Sequence, residues 1–133
     1  MKRRVLSFLT AAALAASLGI AGQNALAQAN ALPAGTYSCV MLIGTQLVDF
    51  GELQIDGTSY RGPALGGDYT DGWYNYQLDA AGAVFWDGPV GPFTSDGNSI
   101  SFTEFSTDSQ GNGVVRITIL SAREGTQEID CQL

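Results

Sequence analysis

The chain has 133 residues, 45% hydrophobic and 14% charged, with thirteen acidic side chains, six basic ones, no histidine and a net charge of −7. The absence of histidine excludes Ser-His-Asp and Cys-His nucleophile systems as ordinarily built, together with histidine-based zinc and copper sites. So few basic groups cannot neutralise a run of phosphates, which excludes nucleic acid as a partner.

Lys2, Arg3 and Arg4 precede the alanine-rich apolar stretch Val5 to Ala21, and Ala25-Leu26-Ala27 meets the small-x-small cleavage rule. A secretory signal peptide over residues 1–27 is expected, cleaved after Ala27 to leave Gln28 first. Ala29-Asn30-Ala31 offers a second cleavage point. Arg3-Arg4-Val5-Leu6 departs from a twin-arginine signal at Ser7, and no cysteine near the cleavage site invites a lipid anchor. The expected address is periplasmic or secreted, with no stable membrane insertion once the signal is removed. Three of the six basic residues leave with it, so Arg61, Arg116 and Arg123 face all thirteen carboxylates and the net charge becomes −10. Without lysine, Schiff-base chemistry is absent and phosphates have no lysine cradle. No cofactor is expected.

Residues 28–34 form a short N-terminal tail, and residues 35–133 are long enough for one domain, expected to be a monomer. Its only cysteines, Cys39 and Cys131, bracket almost all of it. In an oxidising compartment that pattern predicts one disulfide joining the two ends of the fold.

Eight short alternating runs predict an all-β chain. They cover Thr36 to Ile43, Gln46 to Ile55, Ser59 to Gly62, Gly72 to Leu78, Ala83 to Asp87, Ser99 to Phe105, Val114 to Leu120 and Thr126 to Gln132. Asp56-Gly57 is the best two-residue hairpin turn, and Asp96-Gly97-Asn98 works similarly. Gly88-Pro89-Val90-Gly91-Pro92 is the one long, semi-rigid loop. In the second run the apolar set changes parity between Val48, Phe50 and Leu53, Ile55, which predicts a bulge near Gly51-Glu52.

Alternation places Tyr37, Cys39, Met41 and Ile43 on one face of the first run, and Ile129, Cys131 and Leu133 on one face of the last. Tyr74, Tyr76 and Leu78, Ile100 and Phe102, and Val115, Ile117 and Ile119 form the remaining inward sets. In an eight-stranded antiparallel meander the first and last strands can pair, so the expected fold is a small barrel closed by the Cys39–Cys131 bond between them. A two-sheet β-sandwich is the alternative architecture.

Trp73, Tyr74, Tyr76, Phe85, Trp86 and Phe93 crowd the segment around the long loop. With Tyr74, Tyr76, Val84 and Trp86 inward, Trp73 and Phe85 project outward, and Trp73, Phe85 and Phe93 form the candidate binding surface. Paired-carboxylate glycoside cleavage is the enzyme chemistry that survives the composition, with Asp71, Asp79, Asp87 and Glu104 near aromatics, but no spacing selects a pair and no catalytic residue is assigned. Asp108 to Gly113 superficially follows an EF-hand loop, yet Ile119 stands where the bidentate glutamate is required, so no metal site is assigned.

The expected function is therefore non-enzymatic: a surface-recognition module for an envelope or extracellular protein or polysaccharide. A small hydrophobic-ligand carrier using the barrel interior is the alternative, and a carboxylate-based glycoside hydrolase the second. By architecture alone the chain resembles lipocalins and avidins, without a sequence signature of either. It is also similar in size and single disulfide to small bacterial inhibitors of secreted metalloproteases. Those inhibitors act through an N-terminal arm, of which Gln28 to Pro33 shows only a short tail.

Overall fold

Strict apolar–polar alternation, punctuated by Gly, Asp and Asn, yields eight antiparallel strands: β1 (Gly35–Ile43), β2 (Gln46–Asp56), β3 (Ser59–Ala64), β4 (Tyr74–Leu78), β5 (Val84–Trp86), β6 (Ser99–Thr107), β7 (Gly113–Ser121) and β8 (Gly125–Gln132). This computed structural model describes residues 30–133; the expected signal peptide and its cleavage point lie outside the described residues. The strands are hydrogen-bonded in the order β5-β4-β3-β2-β1-β8-β7-β6. They curl into a nearly closed barrel, the expected architecture rather than the sandwich.

First and last strands pair at Ser38–Gln132, Cys39–Cys131 and Val40–Asp130. Cys39 and Cys131 thus stand directly opposite each other and are disulfide-bonded across 92 residues of chain. Closing a loop of that length stabilises by about 4–5 kcal/mol in the chain-entropy model. On the far side of the barrel the wall is incomplete. β5 and β6 meet through one bridge, Ala83 to Glu104, and the amide of Phe105 donates to the carbonyl of Gly82 at 2.7 Å.

Side chains fill the interior. Tyr37, Tyr60, Leu53, Ile117, Ile129 and Val115 are fully buried around the disulfide. Tyr60 meets Trp86 edge-on, with ring centroids 4.6 Å apart, and Tyr76 at 6.5 Å. The residue 28–34 tail is docked where it is described: Leu32 is buried, its amide donates to the Tyr76 hydroxyl at 2.7 Å, and the Tyr37 hydroxyl donates to the Pro33 carbonyl at 2.7 Å. Leu32 closes one end of the barrel, and the segment after β5 closes the other. There Val90 and Phe93 turn inward, and Phe93 packs on Phe50 at 5.4 Å.

Several local expectations are corrected. The β2–β3 turn is Gly57-Thr58 rather than Asp56-Gly57: Asp56 stays in the ladder opposite Ser59, and only Gly57 takes a positive φ, 58°. Asp96 and Gly97 do both take positive φ, 55° and 81°, and the Asn98 amide closes that turn on the Ser95 carbonyl at 2.9 Å. The parity change in β2 is a bulge, with Phe50 as the unpaired residue between Asp49 and Gly51. Gly51 sits at φ 93°, and a Cβ there would lie 2.2 Å from the backbone of Ala64, so glycine is required for β3 to approach. A second bulge, at Ser101, was not legible in the sequence. It reverses the parity of β6, so Thr103 turns inward and Phe102, expected inside, stands outside. Ile43 and Leu133 are likewise exposed, because each lies beyond the stretch where β1 and β8 pair.

Candidate functional site: an open seam lined by aromatics

The incomplete pairing of β5 and β6 leaves a groove of about 480 Å³ between them. Its walls are Phe85 and Trp86 from β5 and Ile100 and Phe102 from β6, and its polar groups are Thr94, Asn98, Ser99 and Ser101. Among the described residues, none that lines it is charged. β5 alternates Val84 in, Phe85 out, Trp86 in, which puts the Phe85 ring on the outer surface at 53% exposure. Phe102 reaches the same surface only through the Ser101 bulge, at 50% exposure. Half-buried Trp86 forms the floor. Its indole Nε1 donates to Thr103 Oγ1 at 2.8 Å and ties β5 to β6 where their backbones no longer pair.

The three residues expected to form one binding surface occupy three environments. Phe85 lines the groove. Trp73 is exposed but lies elsewhere, four residues ahead of Gln77, the partner of Phe85 in the ladder. There the Arg61 guanidinium lies 4.8 Å from the Trp73 ring centroid and 4.2 Å from that of Tyr69, while Arg61 Nε donates to Gln54 Oε1 at 2.7 Å. The Tyr69 hydroxyl is buried without a hydrogen-bond partner, and desolvation first, then Glu52, pushes its pKa up while Arg61 pulls it down. Phe93 does not belong to a binding surface at all. It is 1% exposed, because the Gly-Pro loop folds back over the barrel mouth and drives this ring into the core against Phe50.

Candidate carboxylates are also dispersed. The Asp79 carboxylate accepts from the amides of Ala81 and Ala83 at 2.9 and 2.8 Å, shaping the β4–β5 turn. Glu104 is on the outer face beside Arg116, which already forms a two-pronged pair with Asp130 at 2.8 and 3.0 Å. Asp87 and Asp71 both act through space on the Tyr60 phenol, whose pKa burial pushes up to about 12 against the opposing hydrogen bond from the Gly88 amide. The Asp108 carboxylate accepts from the amides of Gln110 and Asn112, each at 2.9 Å, and these bonds hold its pKa below the usual range. That geometry makes the segment a hairpin turn rather than an ion loop. Comparison with protein-family models, with curated proteins and with solved structures finds no match.

Phe102 is the functional candidate that sequence reasoning missed. Its alternation with Ile100 argued for the core, and only the Ser101 bulge puts it beside Phe85. No signal in the sequence marks it, because Ile100-Ser101-Phe102 alternates without a break and the slip shows only in the pairing with Ile119 and Thr118.

Proposed function

We propose that this protein is an exported, non-enzymatic recognition module that binds a neutral extracellular or envelope polysaccharide in the β5–β6 groove. The observation that carries the reading is the groove's composition: two half-exposed phenylalanine rings beside hydroxyl and amide groups, with no charge in the lining. Flat apolar rings suit the C–H faces of sugar rings, and short polar side chains suit their hydroxyls. A charged glycan would find no counter-ion there. Strand addition by a protein partner fits less well, because β5 is three residues long and the Ser101 bulge interrupts the facing edge of β6. An interior ligand carrier would need volume that the buried rings of Tyr37, Tyr60 and Tyr76 occupy. Hydrolysis would need two carboxylates at the groove, and its described lining has none. The leader-like first 27 residues and the structural disulfide support an oxidising, extracytoplasmic address.

The test is a panel of neutral and anionic polysaccharides, measured by glycan array and then by titration calorimetry. Neutral glycans are expected to bind selectively. Phe85→Ala and Phe102→Ala should each weaken that binding by about 2 kcal/mol, as hot-spot truncations do, with the melting temperature nearly unchanged. Glycan binding indifferent to both substitutions would overturn the assignment, as would capture of a polypeptide in the groove with no glycan binding.

A further inference from the structure

Among the described residues, the two most exposed large hydrophobic side chains, Leu47 and Leu42, lie away from the aromatic groove, at the β1–β2 hairpin. Beyond Val40–Asp130 the two strands β1 and β8 no longer pair, although β1 runs on to Ile43 and β8 reaches back to Gly125. The Phe50 bulge interrupts the β1–β2 ladder at the same level, opposite Cys39 and Val40, where the pairing of β1 with β8 ends. Leu42 and Leu47 are left 66% and 69% exposed, with Ile43 beside them at the Gly44 turn. A cleft of about 990 Å³ lies between this aliphatic wall and the outer face of β8.

The opposite wall is acidic: Glu124, Glu128 and Asp130 line it, and among the described residues no lysine or arginine does. Asp130 is committed to Arg116, and the Glu124 carboxylate accepts from the Gln127 side chain. Glu128 and Glu124 therefore give the cleft a net negative field beside three exposed aliphatic side chains, Leu42, Ile43 and Leu47. A second copy of the chain would bring its own carboxylates against these, at a cost in like-charge repulsion. An anionic lipid surface is disfavoured for the same reason. The occupant that satisfies both walls is an amphipathic polypeptide whose aliphatic side chains cover Leu42 and Leu47 while its lysines or arginines face Glu124 and Glu128.

We propose that the cleft between the β1–β2 hairpin and β8 is a docking site for a cationic, aliphatic-rich segment of a partner protein. The proposal is independent of the glycan reading, since it uses a different seam and different residues.

The experiment uses the exported protein with its disulfide intact and an eight-residue capped peptide alternating leucine and lysine, with the leucine–glutamate peptide as control. Fluorescence anisotropy should show the lysine peptide binding and the glutamate peptide not. Leu42→Ser with Leu47→Ser should weaken binding at least tenfold, and because both side chains are exposed the fold remains intact, checked by circular dichroism. Glu124→Gln with Glu128→Gln should weaken binding and flatten its salt dependence, while Phe85→Ala should change nothing. Equal binding of both peptides, or of neither, overturns the proposal. So does a concentration-dependent dimer abolished by the leucine substitutions, which would name a second copy as the occupant, or vesicle flotation lost with them, which would name a lipid surface.

Discussion

The barrel wall is interrupted at two seams, and the interruptions are unlike. At β1–β8 the strands pair, are bonded through Cys39 and Cys131, and then part; at β5–β6 they barely pair and are held by Ala83–Glu104 and the Trp86–Thr103 hydrogen bond. One seam is covalent and opens onto aliphatic and acidic surface. The other is non-covalent and opens onto aromatic and hydroxyl surface. Each seam has a bulged residue nearby, but only Ser101 reverses a strand's parity and exposes a side chain, Phe102, that simple alternation would bury; Leu42 and its cross-strand partner Leu47 lie on the face that alternation already turns outward. The Ser101 bulge therefore creates candidate binding surface rather than merely curving the sheet.

The strongest way to break the comparison is to remove the covalent half of it. Replacing Cys39 and Cys131 by alanine should destabilise the domain by about 4–5 kcal/mol, close to the whole stability of many small domains, as read by chemical denaturation. A loss under about 1 kcal/mol would mean that packing around Tyr37 and Ile129 closes the β1–β8 seam without the bond, and the two seams would then be alike.

The non-covalent seam is probed by Thr103→Val, which keeps shape and removes the acceptor for the Trp86 indole. Leaving that donor unpaired should cost about 1–3 kcal/mol, towards the lower end because Trp86 is half-buried and water can reach it. Hydrogen exchange should accelerate in β5 and the first half of β6 and stay unchanged in β1 and β8. Uniform acceleration across all eight strands would show that β5–β6 is not a separate weak point.

A third effect is a pH dependence that samples both sides of the barrel. Burial pushes the Tyr37 and Tyr60 phenols up to about 12; Tyr37 is on β1 at the bonded seam, and Tyr60 holds the Gly88 amide just after β5. A group whose pKa is higher folded than unfolded lends stability that is complete below its unfolded value near 10 and is lost as pH rises towards 12. Stability should therefore fall between pH 10 and 12, with tyrosinate absorbance rising as the chain unfolds. Tyr60→Phe should reduce that slope and loosen the Gly88 loop, whereas Tyr37→Phe should reduce the slope and loosen the Pro33 segment that its hydroxyl holds. Flat stability across this window would mean that both phenols ionise in the folded barrel.

How much of this was legible follows from which physics acts locally. The strands and the Cys39–Cys131 pair were readable because period-two alternation and turn residues are local signals, and seven of the eight expected runs begin within one residue of the observed strands. The fourth run begins two residues early, at Gly72 rather than Tyr74. The Phe50 bulge was visible because the apolar set changed parity. Ser101 left no such trace, since Ile100-Ser101-Phe102 alternates perfectly and the slip is decided by the partners Ile119 and Thr118 across the sheet. Phe93 is expected at the binding surface and Leu32 in the tail because sequence shows how a segment is punctuated but not where it folds back. Their burial depends on two open barrel ends that exist only once the sheet has curled.

The pairing of the outermost strands also determines how the molecule carries load. Tension entering at the chain ends reaches Cys39 from one side and Cys131 from the other and crosses between them on one sulfur–sulfur bond, so the chain enclosed by that bond is bypassed. Only the residues outside it can be drawn out, each adding at most about 3.3–3.6 Å. A domain pulled by its ends would load only the first four residues of β1 and the last of β8, and the β5–β6 seam, enclosed by the bond, would stay out of the path of the force.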